Sequence, residues 1–191
     1  MMPTSFQGRE ALVEKLDRAV QHTSVPEITE AVKNALLDLL SARTPLGIPP
    51  EFKVPRGDKY ARRLLYRSPE HGYTVIAMTW GPQQGTLLHD HSGTWCVEGV
   101  LEGEIEVTQY DLLEREGNSW HFVPQDTLHS GMGTAGSLIP PYEYHTIANA
   151  RPERPSITVH VYGRELTNCT IFENENGDWY TSRLCPLRYD N

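Results

Sequence analysis

The 191-residue chain is poor in cysteine, has fewer basic than acidic residues and contains no long apolar run, and each shortage removes a class of protein. Its three cysteines, Cys96, Cys169 and Cys185, are odd in number and form no C-x-x-C pair, which argues against a disulfide framework or a zinc knuckle. Seventeen Lys and Arg against 25 Asp and Glu leave a net charge of −8 with no basic run, so nucleic acid is not an expected partner. No apolar stretch approaches the ~18 to 20 residues of a membrane span, and no membrane association is expected. The segment from Met1 to Glu10 lacks the cationic start and apolar stretch of a secretion signal, so the expected compartment is the cytoplasm.

What remains is ordinary for a globular protein: 38% hydrophobic and 22% charged residues, in a length suited to one domain. Fourteen Pro and 15 Gly, spread along the chain, predict many turns between short elements and hence a β-rich architecture. Two helical faces precede it. Leu12, Val13, Leu16, Ala19 and Val20 share one face over 9–22, and Ile28, Val32, Ala35, Leu36, Leu39 and Leu40 share another over 27–41. Ser24, Pro26 and Glu27 supply a cap, a first-turn proline and an early acid for the second helix. The run from Thr44 to Pro50 breaks the periodicity and sets a boundary near residue 50, giving a helical segment over 1–50 packed on a domain over 51–191.

Past that boundary, β-prone runs are expected at 63–66, 73–80, 95–101, 104–110, 144–148, 156–162, 169–173 and 179–182, with tight hairpins at 101–104 and 174–178. Many short strands mean a sandwich or a barrel. Within them, His89 and His91 stand at i and i+2, so an extended backbone turns both imidazoles to one face, where they can reach one metal. A third histidine, His145, follows later. The pair alone leaves a metal site and a solvated strand face both open.

The frame around these histidines resembles the two motifs of the cupin superfamily. After His91 come four residues, Cys96, six more residues and Gly103; Pro140, His145 and Asn149 resemble the second motif, with Tyr142 where glycine is usual. The resemblance implies an all-β cupin barrel, a small β-barrel or jelly roll, behind the two N-terminal α-helices. Cys96 stands where most metal-binding cupins carry a glutamate ligand. Three neutral imidazoles would keep the full charge of a divalent metal and leave positions open, which suits Fe(II) and an anionic thiolate.

Residues 52 to 173 are more specifically similar to the cysteine dioxygenase family of thiol dioxygenases, which add both atoms of O2 to a thiol and form a sulfinate. The resemblance implies Fe(II) held by His89, His91 and His145. It matches Cys96 and Tyr162 to a pair joined by a thioether in the mammalian-type enzymes. Thr158, His160 and Tyr162 resemble the family's S-x-H-x-Y row, expected on one strand face as a relay from hydroxyl to imidazole to phenol. Tyr60 and Arg62 resemble its Y-x-R-x-L element, with the Arg62 fork suited to a substrate carboxylate. L-cysteine is therefore expected ahead of 3-mercaptopropionate or mercaptosuccinate; a non-redox metal-binding cupin, such as an isomerase or sensor, is the alternative from another class. The expected partners are a small thiol carboxylate and O2, in a monomer or small homo-oligomer.

Plainer roles are expected elsewhere. His22 and His71 read as solvated, and His121 and His129 as flanking a loop between the two motifs. Trp80 and Trp95 read as core, Cys169 as a residue near the site and Cys185 as a structural thiol.

Overall fold

The computed structural model describes residues 5–41 and 46–190. The Thr44–Pro45 part of the expected boundary, and the first four residues of the segment read for a secretion signal, lie outside them. Helix α1 spans Arg9–Ala19 and α2 spans Val25–Ser41. Ser24 and Glu27 form a capping box: the Glu27 amide donates to Ser24 Oγ at 3.4 Å, and the Ser24 amide donates back to Glu27 Oε2 at 3.2 Å. Leu12 and Leu16 of α1 meet Val32, Leu36 and Leu39 of α2 along one buried stripe. No helix among the described residues is long and apolar enough to cross a membrane.

After a 3-10 turn at Pro50–Lys53 come eleven strands: β1 (Ala61–Arg67), β2 (Thr74–Trp80), β3 (Leu88–His89), β4 (Cys96–Glu102), β5 (Glu104–Glu116), β6 (Ser119–Gly131), β7 (Ala135–Leu138), β8 (His145–Asn149), β9 (Ser156–Tyr162), β10 (Asn168–Asn176) and β11 (Trp179–Pro186). Five pair in the order β1-β2-β9-β4-β7; the other six close on themselves as β10-β11-β6-β5-β8-β3. The result is the all-β cupin-type barrel with two N-terminal helices that the sequence implies.

The five-stranded sheet lies between two apolar layers. Val75 and Ala77 of β2, Val97 and Leu101 of β4, and Val159 and Val161 of β9 pack with the helices; Ile76, Met78, Trp80, Cys96, Val100 and Tyr162 point the other way, into the barrel. Every residue of β2 and β9 is therefore buried, although β9 alternates Ser156, Thr158 and His160 with apolar Ile157, Val159 and Val161. The helix approaches closely: a Cβ on Gly99 would come within 2.6 Å of Leu40 Cδ1. The β4–β5 hairpin turns at Gly103, whose φ of 85° few other residues adopt.

One expectation fails here. The segment holding His121 and His129 is no loop but the 13-residue strand β6. Its polar, largely exposed residues carry little periodicity, and Pro124 sits at a break in register between Thr108 and Tyr110 of β5. Pairing with β5, rather than its own pattern, makes it a strand.

Candidate active site

The three histidines converge inside the barrel. His89 ends β3, His145 opens β8 directly opposite it, and His91 follows where Ser92 and Gly93, both at positive φ, turn the chain toward β4. One nitrogen of each lies within 4.8 Å of the others. Nδ1 of His89 donates to the Leu87 carbonyl at 3.0 Å and Nδ1 of His145 to the Glu143 carbonyl at 2.8 Å, which leaves the Nε2 lone pair of each ring free. His91 Nδ1 is buried without a hydrogen-bond partner among the described residues. Burial pushes all three pKa values down, and neighbouring imidazoles lower two of them further, His145 and His89 acting on His91 and His89 on His145, so the rings are neutral and able to act as ligands. Among the described residues, no carboxylate belongs to this cluster. Neutral, pre-oriented nitrogen donors at this spacing fit a divalent transition-metal ion.

The five-stranded sheet supplies the facing wall. Arg62, Met78 and Trp80 line the same pocket as the histidines, with Tyr60, His160, Tyr162, Leu166, Cys169 and Leu187. Arg62 is 3% exposed, forms no ion pair among the described residues, and keeps one guanidinium nitrogen, Nε, buried without a partner. Its Nη2 donates to the Leu166 carbonyl at 2.9 Å, and its guanidinium lies 4.9 Å from the Tyr189 ring. Alternation turns Arg63 to the outer face, where it donates to the Phe52 and Val54 carbonyls at 2.8 Å. Tyr60 stacks on Trp80 with centroids 4.6 Å apart.

Register explains the remaining pairings. Cys96 lies directly opposite Tyr162 across β4 and β9, and Glu98 opposite His160. Burial pushes both the Cys96 thiol and the Tyr162 phenol well up, so both stay protonated. Thr158 Oγ1 meets His160 Nε2 at 2.7 Å, as a relay would require. The second nitrogen of His160 does not continue to the phenol; Nδ1 lies 3.3 Å from Glu98 Oε2 and 3.8 Å from Cys96 Sγ. Residues two apart on a strand stack side by side, and the His160 and Tyr162 rings do so at 6.1 Å with planes 14° apart.

Three contributors escaped the sequence reading. Trp80, taken as core, also lines the pocket, and its indole donates to Thr158 Oγ1 at 2.8 Å. Glu98 was detectable only as the same-face neighbour of Cys96. Tyr189, near the C-terminus, carried no local signal. Trp95 packs on the outer face against the helices, His121 stacks on Trp179 at 4.9 Å, and His129 lies near Glu104 and Glu106 on the surface. Cys185 faces Cys169 across β10 and β11.

The sequence profile of the family described as cysteine dioxygenase type I matches residues 52–175. The chain is similar to cysteine dioxygenase type 1 of Rattus norvegicus, 21% identical over 119 residues, covering 62% of this chain and 58% of that protein. With the Danio rerio protein of the same description it shares 22% over 136 residues, covering 66% and 62%. The chain thus spans 58% of the rat relative's length. Among solved structures, a Klebsiella pneumoniae protein with a double-stranded β-helix domain overlaps 59% of this chain and 78% of its own, at 21% identity and a TM-score of 0.46.

Proposed function

The chain belongs to the cysteine dioxygenase type I family, and from that premise we propose that it is an Fe(II)-dependent thiol dioxygenase acting on a small thiol carboxylate, L-cysteine first. One observation carries the reading: the buried guanidinium of Arg62, which has no ion-pair partner among the described residues, lines the same pocket as the three convergent histidines. A ferrous ion held by His89, His91 and His145 would supply the redox chemistry by which a thiol and O2 become a sulfinate.

The chain's own residues do the rest. Arg62 takes the carboxylate in a charge-assisted pair, in a buried position lined by Leu166, Leu187 and the stacked Tyr60 and Trp80. With Arg63 turned to the outer face, the pocket offers one carboxylate fork, which favours a monocarboxylic thiol over mercaptosuccinate. Tyr162 presents a protonated phenol beside His91, with ring centroids 5.5 Å apart, as a hydrogen-bond donor to the reacting group. The opposed Cys96 and Tyr162 support the thioether: a bond from Sγ to a ring carbon, with the two hydrogens and two electrons lost passing to O2. It would lock the phenol in one rotamer.

The test is oxygen consumption by iron-loaded protein across L-cysteine, 3-mercaptopropionate, mercaptosuccinate and cysteamine, with the product identified by mass. L-cysteine should turn over with the highest kcat/KM and gain two oxygen atoms. Oxygen uptake without sulfinate, or none with any thiol, overturns the reading. For the thioether, peptide mapping after turnover should reveal a linked pair lighter by two hydrogens that is absent in Cys96→Ser.

A further inference from the structure

Glu98 is a buried carboxyl to which neither the sequence motifs nor the proposed reaction gives a role. Its side chain is 7% exposed, and Oε2 makes no well-formed hydrogen bond although it lies 3.3 Å from His160 Nδ1. Cys96 Sγ shares the same nitrogen at 3.8 Å. On its other side Glu98 borders a second cavity of about 280 Å³ between β4, β7 and the β5–β6 hairpin, lined by Gln109, Ser130, Thr134, Ser137 and apolar side chains.

The proton arrangement follows from what each group can do. The Trp80 indole is a donor only, and it donates to Thr158 Oγ1. Among the described residues that hydroxyl has one further partner, His160 Nε2 at 2.7 Å, so its own proton goes there and Nε2 accepts. A neutral imidazole accepting at Nε2 carries its proton on Nδ1, and burial keeps His160 neutral by pushing its pKa down to about 3. That N–H faces Cys96 and Glu98, of which a thiol sulfur is a weak acceptor and a carboxyl oxygen a strong one.

We propose that Glu98 is a positioning residue for His160. Its carboxyl oxygen ends the chain of donors that begins at the Trp80 indole, holds His160 as the Nδ1–H tautomer, and keeps that edge of the imidazole turned to Cys96. The tautomer belongs to the folded chain whatever its activity; only the kinetic consequence rests on the thiol dioxygenase reading.

The test uses the 191-residue chain labelled with 15N-histidine and loaded with Zn(II), a diamagnetic substitute for iron. Long-range proton–nitrogen spectra report each tautomer, and His160→Asn identifies the signal. Wild type and Glu98→Gln, whose amide oxygen still accepts, should hold His160 as Nδ1–H. Glu98→Leu should convert it to Nε2–H or to a mixture. In the iron-loaded enzyme, Glu98→Leu should lower kcat roughly tenfold at unchanged KM, as loss of a group orienting a site residue does, and Glu98→Gln should restore most of it. An Nε2–H tautomer in wild type, or an unchanged one in Glu98→Leu, overturns the proposal. Wild type that oxidises no thiol overturns the functional reading instead, and the tautomer spectra still decide the role of Glu98.

Discussion

The two faces of the five-stranded sheet are both buried, but the barrel face sets polar groups among its apolar Ile76, Met78 and Val100 where the helix-facing positions of β2, β4 and β9 are mostly apolar. Toward the helices, β2, β4 and β9 present Val75, Ala77, Val97, Leu101, Val159 and Val161. Toward the barrel, the alternate positions of β2, β4 and β9, with Arg62 of β1, present Trp80, Cys96, Glu98, Thr158, His160 and Tyr162, every one of them 6% exposed or less. Burial therefore cannot distinguish stability from chemistry here. An apolar side chain gains by leaving water, whereas a polar one costs free energy there unless partnered, so the inner face is held only because β1 to β4, β8 and β9 bring its partners into register.

This contrast predicts that inner-face and outer-face substitutions separate activity from stability. The largest effect should follow His145→Ala: loss of one of three ligands should cut iron affinity by more than the roughly 10- to 100-fold typical of removing a ligand's supporting contact, and abolish turnover. Elemental analysis after iron loading checks it, and full iron occupancy would break the assignment. On the outer face, Leu36→Ala in the fully buried α2 stripe should cost about 2 to 5 kcal/mol in urea unfolding, with iron stoichiometry unchanged in the protein that remains folded.

Arg62→Gln should lower kcat/KM for L-cysteine by ~2 to 3 kcal/mol, or roughly 30- to 160-fold, erode the preference over 3-mercaptopropionate, and leave iron content alone. Equal rates for wild type and variant would put the carboxylate contact elsewhere. Smallest is Ser24→Ala, which removes the α2 cap far from the pocket. It should cost about 1 kcal/mol in unfolding and nothing in turnover. A change in KM there would show that the two faces are coupled.

Strand and helix identity could be read where one period dominated. The runs at 73–80 and 156–162 coincide with β2 and β9 to within a residue, and the cap at Ser24 marks the start of α2. Strand β6 could not be read, since Pro124 and exposed polar residues leave it no pattern, and neither could the two-residue β3, which exists only through its pairing with β8 and β10.

The sequence by itself determined the donor types and their spacing: two histidines two apart, a third before Asn149, and a hydroxyl, an imidazole and a phenol alternating along one strand. That information is local, because backbone period alone fixes which neighbours share a face. Only the tertiary structure decided what each face meets. Antiparallel register set Cys96 opposite Tyr162 and Glu98 opposite His160, and closure of the barrel brought His145 to His89 from a position far along the chain. Glu98 and Trp80 acquired their contacts the same way. Such pairings depend on strand register and on the burial of both sheet faces at once, and neither is written in the residues near any one of these side chains.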